Sequence, residues 1–232
     1  FGLNEKSETE GLDRKHLRIP QNQINLIQEL AKANANMVGI ISAGSVIEMP
    51  WHHHFKALLH TALMGQAGAG AVLDILSGKV NPSGKLAETY IKKYEDTPSY
   101  NYYPSQERNS EYREGIYVGY RYFDTFDVVP EYCFGFGRSY TEFYRNTVDA
   151  YVEKGVVYLD VAVKNVGDTY AGKEVVQIYV SAPESEVDKP YQELVAFGKT
   201  KLLAPGEEQI LSLAFDVRNL ASYSEKKAAW IL

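Results

Sequence analysis

The sequence predicts two domains of different class, an α/β layer domain followed by an all-β sandwich. Three patterns in the 232 residues carry that expectation. Near the start, apolar residues recur at helical spacing around a short, continuous apolar run. The last third alternates apolar and polar residues with a period of two. The middle is rich in tyrosine and follows neither rule.

In the first third, Ile24, Ile27, Leu30 and Ala31 fall at helical spacing between Pro20 and Asn34 and predict a helix. Met37-Val38-Gly39-Ile40-Ile41, bounded by Asn36 and Gly44, reads as a buried strand. Phe55, Leu58, Leu59, Ala62 and Leu63 form a second amphipathic stripe, read as a helix. Ala69, Val72, Leu73 and Leu76 form a third that stops at Gly78. Helices interleaved with buried strands indicate α/β layers. Only one strand is clear, so part of the sheet is expected outside this chain.

In the last third, Val157, Leu159, Val161 and Val163 alternate with Tyr158, Asp160, Ala162 and Lys164. Val176, Ile178 and Val180 keep the same period, as do Leu211, Leu213 and Phe215. Asn165-Val166-Gly167-Asp168 and Ala204-Pro205-Gly206 supply turns between them, the pattern of a β-sandwich. The stretch 92–136 holds nine of the 18 tyrosines. Tyrosine pairs a flat apolar face with a polar tip, so the segment is expected to pack between domains, with sugar stacking as the functional alternative.

Composition narrows the function classes. With 45% hydrophobic and 23% charged residues, the chain has the make-up of ordinary globular proteins. A net charge of -6 argues against a nucleic-acid partner, because phosphate backbones reward clustered lysine and arginine. Apolar runs fall far short of the roughly 20 residues that span a bilayer, so no membrane partner is expected. Cys133 is the single cysteine, which excludes an internal disulfide framework and a multi-cysteine metal site. The chain starts at Phe1 with no signal-like segment and stops at Leu232, and both ends read as truncated. Localisation therefore stays open, with the cytoplasm favoured.

Several motifs fail on spacing. Between Gly78 and Gly84 lie five residues where a phosphate-binding loop needs four, and Leu86 replaces its hydroxyl. Gly65, Gly68 and Gly70 lack the dinucleotide spacing and are read as following a helix, where close packing is their better use. His52-His53-His54 and His60 contain no i,i+4 pair and no cysteine nearby, so no metal is expected. Asn81-Pro82-Ser83 is disqualified as a glycosylation acceptor by its proline and reads as a turn.

The acidic stretch before the first helix carries the most chemistry. Glu5, Glu8, Glu10 and Asp13 crowd into nine residues. Such clusters are commonly solvated faces. Their functional use is general acid/base work, because crowded carboxyls raise one another's pKa. Gly11 after Glu10 suits a turn that projects a carboxyl from a loop. Spacing alone does not choose among the four.

Glu8-Thr9-Glu10-Gly11-Leu12-Asp13-Arg14, followed by Leu17-Arg18-Ile19-Pro20 and Gln23, resembles the start of the non-barrel domain of glycoside hydrolase family 3. Glu48-Met49-Pro50-Trp51, Gly65-Gln66, Asn81-Pro82-Ser83-Gly84-Lys85-Leu86, Tyr112-Arg113-Glu114-Gly115-Ile116-Tyr117-Val118-Gly119-Tyr120-Arg121-Tyr122 and Phe134-Gly135-Phe136-Gly137-Arg138-Ser139-Tyr140-Thr141 extend the resemblance. Asn165-Val166-Gly167, Gly172-Lys173-Glu174-Val175-Val176-Gln177-Ile178-Tyr179-Val180 and Pro205-Gly206-Glu207 are similar to the family's fibronectin type III-like module.

The resemblance implies an incomplete three-layer α/β-sandwich domain over residues 1–137, including a tyrosine-rich linker at about 92–136. An immunoglobulin-like, fibronectin type III-like sandwich follows over residues 138–232 and is expected to be truncated. It further implies part of a retaining β-glucosidase-type hydrolase with no cofactor. Two carboxyl groups about 5–5.5 Å apart perform that chemistry. The nucleophile would come from a (β/α)8 barrel of the same parent chain, before or after this segment, so the chain alone is expected to be inactive. Glu10 matches the acid/base position, with Glu8 as the alternative because that position varies within the family. Leu12 stands where an aromatic is common. Asp13 and Arg14 are expected to form a structural ion pair. The substrate would be a terminal β-glucoside or related oligosaccharide. The alternative from another class is a non-catalytic carbohydrate-binding or assembly module.

Overall fold

The computed structural model describes every residue except 106, 107 and 184. Helix α1 (Gln21–Ala33) leads into β1 (Val38–Ile41), which pairs in parallel with β2 (Ala57–His60) in the register Val38 with Ala57 and Ile41 with His60. Helix α2 (Gly68–Leu76) follows and stops before Gly78, whose φ of 76° is the left-handed turn that glycine tolerates. The first residues also run beside β1: Gly2 bridges Ser42 in parallel, and the Phe1 ammonium donates to the Ile40 carbonyl.

Strand β2 replaces the helix expected from Phe55, Leu58, Leu59, Ala62 and Leu63. A short apolar run fits both templates, and the unpaired backbone groups of β1 decide the outcome because they need partners. The glycines after this run therefore follow a strand, not a helix, although their spacing still departs from a dinucleotide loop. Of the predicted packing at these glycines, only Gly68 is crowded, against Met64.

The core of this part gathers Ile19, Ile27, Met37, Ile41, Ile47, Met49, Trp51 and Tyr90. One face of α1 enters it through Ile27, whereas Leu30 stays exposed. From the α2 stripe only Val72 is buried, and Leu73 remains 66% exposed. Tyr90 bridges Tyr132 and places its hydroxyl 2.5 Å from His60 Nε2, tying β2 to the segment around residue 90.

Helix α3 (Tyr120–Thr125) precedes an antiparallel sheet in the order β3 (Phe143–Glu153), β4 (Val156–Asn165), β7 (Glu208–Asp216). Strands β5 (Val175–Val180) and β6 (Glu193–Lys199) pair opposite it, and β8 (Ser222–Ser224) and β9 (Ala229–Ile231) form a terminal hairpin. Val161, Val163, Val176 and Leu203 fill the space between the sheets, so the alternating residues do face one core.

Polar groups lock the two parts together. Asn81 donates to the Ala171 carbonyl at 3.0 Å and accepts from Ser139 Oγ and the Tyr140 amide. Buried Glu174 meets Lys85 Nζ at 3.0 Å and Arg145 Nη1 at 2.8 Å. The Tyr120 hydroxyl accepts the Leu194 amide at 2.7 Å, and its ring stacks on Phe134. Part of the tyrosine-rich segment thus packs at the junction. Fully buried Asn165 satisfies all its valences, donating to the Tyr170 and Leu203 carbonyls and accepting from Thr141 Oγ1 and the Gly167 amide.

Two stability outcomes follow from these contacts. Replacing buried Asn165 with leucine leaves its four partners without it and lowers unfolding stability by about 3 kcal/mol in urea titrations. A loss below about 1 kcal/mol contradicts the satisfied-knot description. Burial holds His60 below its ordinary value, so the unfolded chain binds that proton more readily. Its contribution is full above about pH 6.5 and is lost as pH falls through the folded value. The Tyr90 hydroxyl is pushed up to about 12, by burial first and then by Glu88 and Glu8. That contribution is full below about pH 10 and is lost as pH rises toward 12. The urea midpoint should fall on both sides of this window, with His60→Gln flattening the acid limb and Tyr90→Phe the alkaline one.

Candidate active site

The acidic segment folds back on itself directly beside the end of β1. Asn4 starts it with a turn in which its carbonyl accepts the Ser7 and Glu8 amides. Thr9 then bridges Leu12 in antiparallel fashion, so Glu10 and Gly11 form the tip of a two-residue hairpin. Gly11 does not use the left-handed backbone region, and an added Cβ would meet open space. Its contribution is therefore an uncovered tip beside Glu10 rather than a special turn.

The four candidate carboxylates separate by their surroundings. Glu8 is half-buried, and its Oε1 accepts the Gly44 amide at 2.7 Å and lies 3.4 Å from Ser45 Oγ. Asp13 accepts the Tyr103 hydroxyl, which holds the Tyr103 pKa above its ordinary value. Glu10 is exposed and its carboxylate has no hydrogen-bond or ion-pair partner among the described residues, and the same holds for Glu5, at the outer turn.

The expected Asp13–Arg14 ion pair is absent among the described residues. Arg14 Nη1 instead donates to Ser45 Oγ and the Val46 carbonyl, each at 2.9 Å. Each of the two finds a partner distant in sequence. Burial pulls the Arg14 guanidinium below its ordinary value, opposed by the nearby Glu8 and Glu48. The hairpin is therefore gripped on both flanks by residues 44–46, through Glu8 before the tip and Arg14 after it. Leu12 is 72% exposed, so the position where an aromatic was expected presents an aliphatic surface beside Glu10.

Sequence reasoning missed Tyr103 and Tyr102. Tyr103 caps Asp13, and the Arg113 guanidinium lies 4.3 Å from the centre of the Tyr102 ring. Their density in the tyrosine-rich stretch was visible, but their reach to residue 13 depends on the fold. The histidine run forms a short 3-10 turn, with His52 Nδ1 2.9 Å from the Met49 carbonyl and Nε2 3.4 Å from Glu131. Among the described residues no three or more metal-ligating side chains converge. No described helix is long and apolar enough to cross a membrane.

Comparison with known proteins identifies the family. Residues 1–120 match the glycosyl hydrolase family 3 C-terminal domain, and residues 174–232 match the fibronectin type III-like domain. The chain is 42% identical over 99% of its length to thermostable beta-glucosidase B of Acetivibrio thermocellus, covering 31% of that protein. It is 38% identical to an exo-alpha-(1->6)-L-arabinopyranosidase of Bifidobacterium breve, covering 30% of it. The crystal structure of a family 3 beta-glucosidase from Bifidobacterium adolescentis superposes with a TM-score of 0.93 at 39% identity, over 99% of this chain and 34% of that one. The beta-glucosidase of Kluyveromyces marxianus in complex with glucose gives a TM-score of 0.94 at 35% identity, over 99% of this chain and 28% of that one. The chain thus spans about a third of these relatives, and its described residues contain no barrel. It belongs to glycoside hydrolase family 3, of which it carries the C-terminal α/β domain and the fibronectin type III-like domain.

Proposed function

We propose that the chain supplies the general acid/base loop of a retaining β-glucosidase-type hydrolase, with Glu10 as the acid/base. One observation carries the choice of residue. Glu8 is committed to the Gly44 amide and Asp13 to Tyr103, and of the two unengaged carboxylates Glu5 lies at the outer turn whereas Glu10 stands at the hairpin tip. A group that must give and then take a proton needs a free, projecting carboxyl. Glu8 anchors the loop that carries it. The division of the chain at residue 137 belongs to the same reading: the α/β part presents the hairpin, and the β-sandwich is joined to it through Asn81, Lys85 and Tyr120.

In this mechanism protonated Glu10 donates to the glycosidic oxygen while an aspartate of the parent's barrel attacks the anomeric carbon. Glu10 then removes a proton from the water that hydrolyses the glycosyl-enzyme. The chain alone, without that barrel, does not turn over substrate. Beta-glucosidases and arabinopyranosidases both occur among the relatives. The sugar at the reacting centre is accordingly a terminal glucose or a related pyranose, set by groups outside this chain.

In the barrel-containing enzyme, Glu10→Ala slows glycosides with poor leaving groups far more than activated aryl glycosides, by about 10²–10⁴-fold for the former. Added azide restores turnover of the activated substrates and yields the glycosyl azide. The Glu8→Gln variant loses stability and slows both substrate classes alike, because it releases the loop instead of removing a proton donor. Leaving-group-dependent loss and azide rescue in Glu8→Gln, with neither in Glu10→Ala, would transfer the role to Glu8.

A further inference from the structure

Residues 44–46 grip the hairpin on both flanks, and a further hold reaches it from a different segment. Glu8 ties the first arm to Gly44, and Arg14 ties the end of the second arm to Ser45 and Val46. Asp13, directly after the Thr9–Leu12 bridge, accepts the hydroxyl of Tyr103, 90 residues along the chain. A hydrogen bond to a charged acceptor is of the stronger kind. Here water competes for it, because Tyr103 is 52% exposed, so its share of global stability is small.

Tyr103 is held in its turn. Residues 94–103 fold as a run of turns, in which the Thr97 amide donates to the Tyr94 carbonyl and the Tyr100 amide to that of Thr97. The Tyr102 and Tyr103 amides both donate to the Ser99 carbonyl. The Tyr94 and Tyr100 rings meet edge to face at 4.9 Å. Glu48 anchors the start of this run, because its Oε1 accepts the Tyr94 amide at 2.6 Å. The same residue donates its own amide to the Leu17 carbonyl at 2.8 Å, just past the hairpin. The contacts thus close a circuit: from Asp13 along the chain to Leu17, across to Glu48 and Tyr94, through the turns to Tyr103, and back to Asp13. Without the Tyr103 bond, the stretch between Leu12 and Arg14 loses its contact nearest the tip.

The Glu10 carboxylate has no partner of its own among the described residues, so the backbone beneath it sets where it stands. A displacement of about 1 Å in a reacting group can cost about 10²-fold in rate. We infer that Tyr103 is a positioning residue: its hydroxyl on Asp13 sets where the hairpin tip, and with it the Glu10 carboxyl, stands. The inference rests on the reading of Glu10 as the acid/base. Tyr103 acts through Asp13, not on the substrate.

The test uses the barrel-containing enzyme with Tyr103→Phe, which keeps the ring and removes the hydroxyl. Glycosides with poor leaving groups are expected to slow about tenfold, while activated aryl glycosides keep their rate and the unfolding midpoint stays at the wild-type value. Asp13→Ala is expected to match it, and the double variant to lose no more than either single one, because both remove the same bond. Asp13→Asn keeps an acceptor oxygen and is expected to lose less. Amide hydrogen exchange across residues 9–13, which does not depend on the role of Glu10, is expected to quicken in Tyr103→Phe. Glu10→Ala, run alongside, tests the acid/base reading separately. Where Glu10→Ala shows the leaving-group effect, wild-type rates on poor leaving groups in Tyr103→Phe overturn the inference. Equal slowing of both substrate classes with a lowered midpoint, losses that multiply in the double variant, or unchanged exchange also overturn it. Where Glu10→Ala shows no such effect, the acid/base reading fails, and the exchange measurement alone decides whether Tyr103 holds the tip.

Discussion

Glu8 Oε1 on the Gly44 amide is the contact from which the rest of the candidate site is built. It is a charge-assisted hydrogen bond, of the stronger kind, and it joins a loop without regular structure to the carboxyl end of β1. Open α/β sheets place their reactive loops at that end of the strands. Gly44 is needed for the approach: a Cβ there would lie 2.8 Å from Glu8 Oε1 and 3.2 Å from the Leu63 side chain. Arg14 closes the other flank by donating to Ser45 and Val46. With both flanks held, the backbone of the two-residue tip is tied to the end of β1.

The second layer of organisation is the junction between the domains. Lys85 and Arg145 converge on buried Glu174, and Asn81 reaches three partners across the boundary. A buried carboxylate with two cations is costly to assemble and more costly to break. Its value here is geometric. The β-sandwich is fixed against the segment that contains Lys85, Tyr90 and Thr89, and Tyr90 in turn touches β2 through His60. A chain of contacts therefore runs from the sandwich to the sheet whose end carries the hairpin.

Much of this was legible in local pattern. The β1 run, the first helix and the alternating strands of the sandwich follow from spacing, because each buries one face of a regular element. The stripe from Phe55 to Leu63 misled: four residues of β2 have no periodicity of their own, and only the parallel partner makes them a strand. The acidic segment pointed to a candidate site, but not to which carboxylates were engaged. That depended on Gly44 and Tyr103, which lie 36 and 90 residues from Glu8 and Asp13. The misassigned Asp13–Arg14 pair has the same cause. Adjacent charges look like partners in a sequence, whereas in the fold Asp13 and Arg14 each meet a residue far along the chain.

The central claim is that the carboxyl at the hairpin tip performs proton transfer while its neighbour only holds the loop. Intact-mass analysis of the barrel-containing enzyme mixed with a dinitrophenyl β-glucoside tests this most directly. That substrate needs no acid to depart, so loss of the acid/base slows only the hydrolysis of the glycosyl-enzyme. The Glu10→Gln variant should accumulate protein heavier by one hexosyl group within the first turnover, and Glu8→Gln should not. Accumulation in Glu8→Gln, with none in Glu10→Gln, would contradict the account.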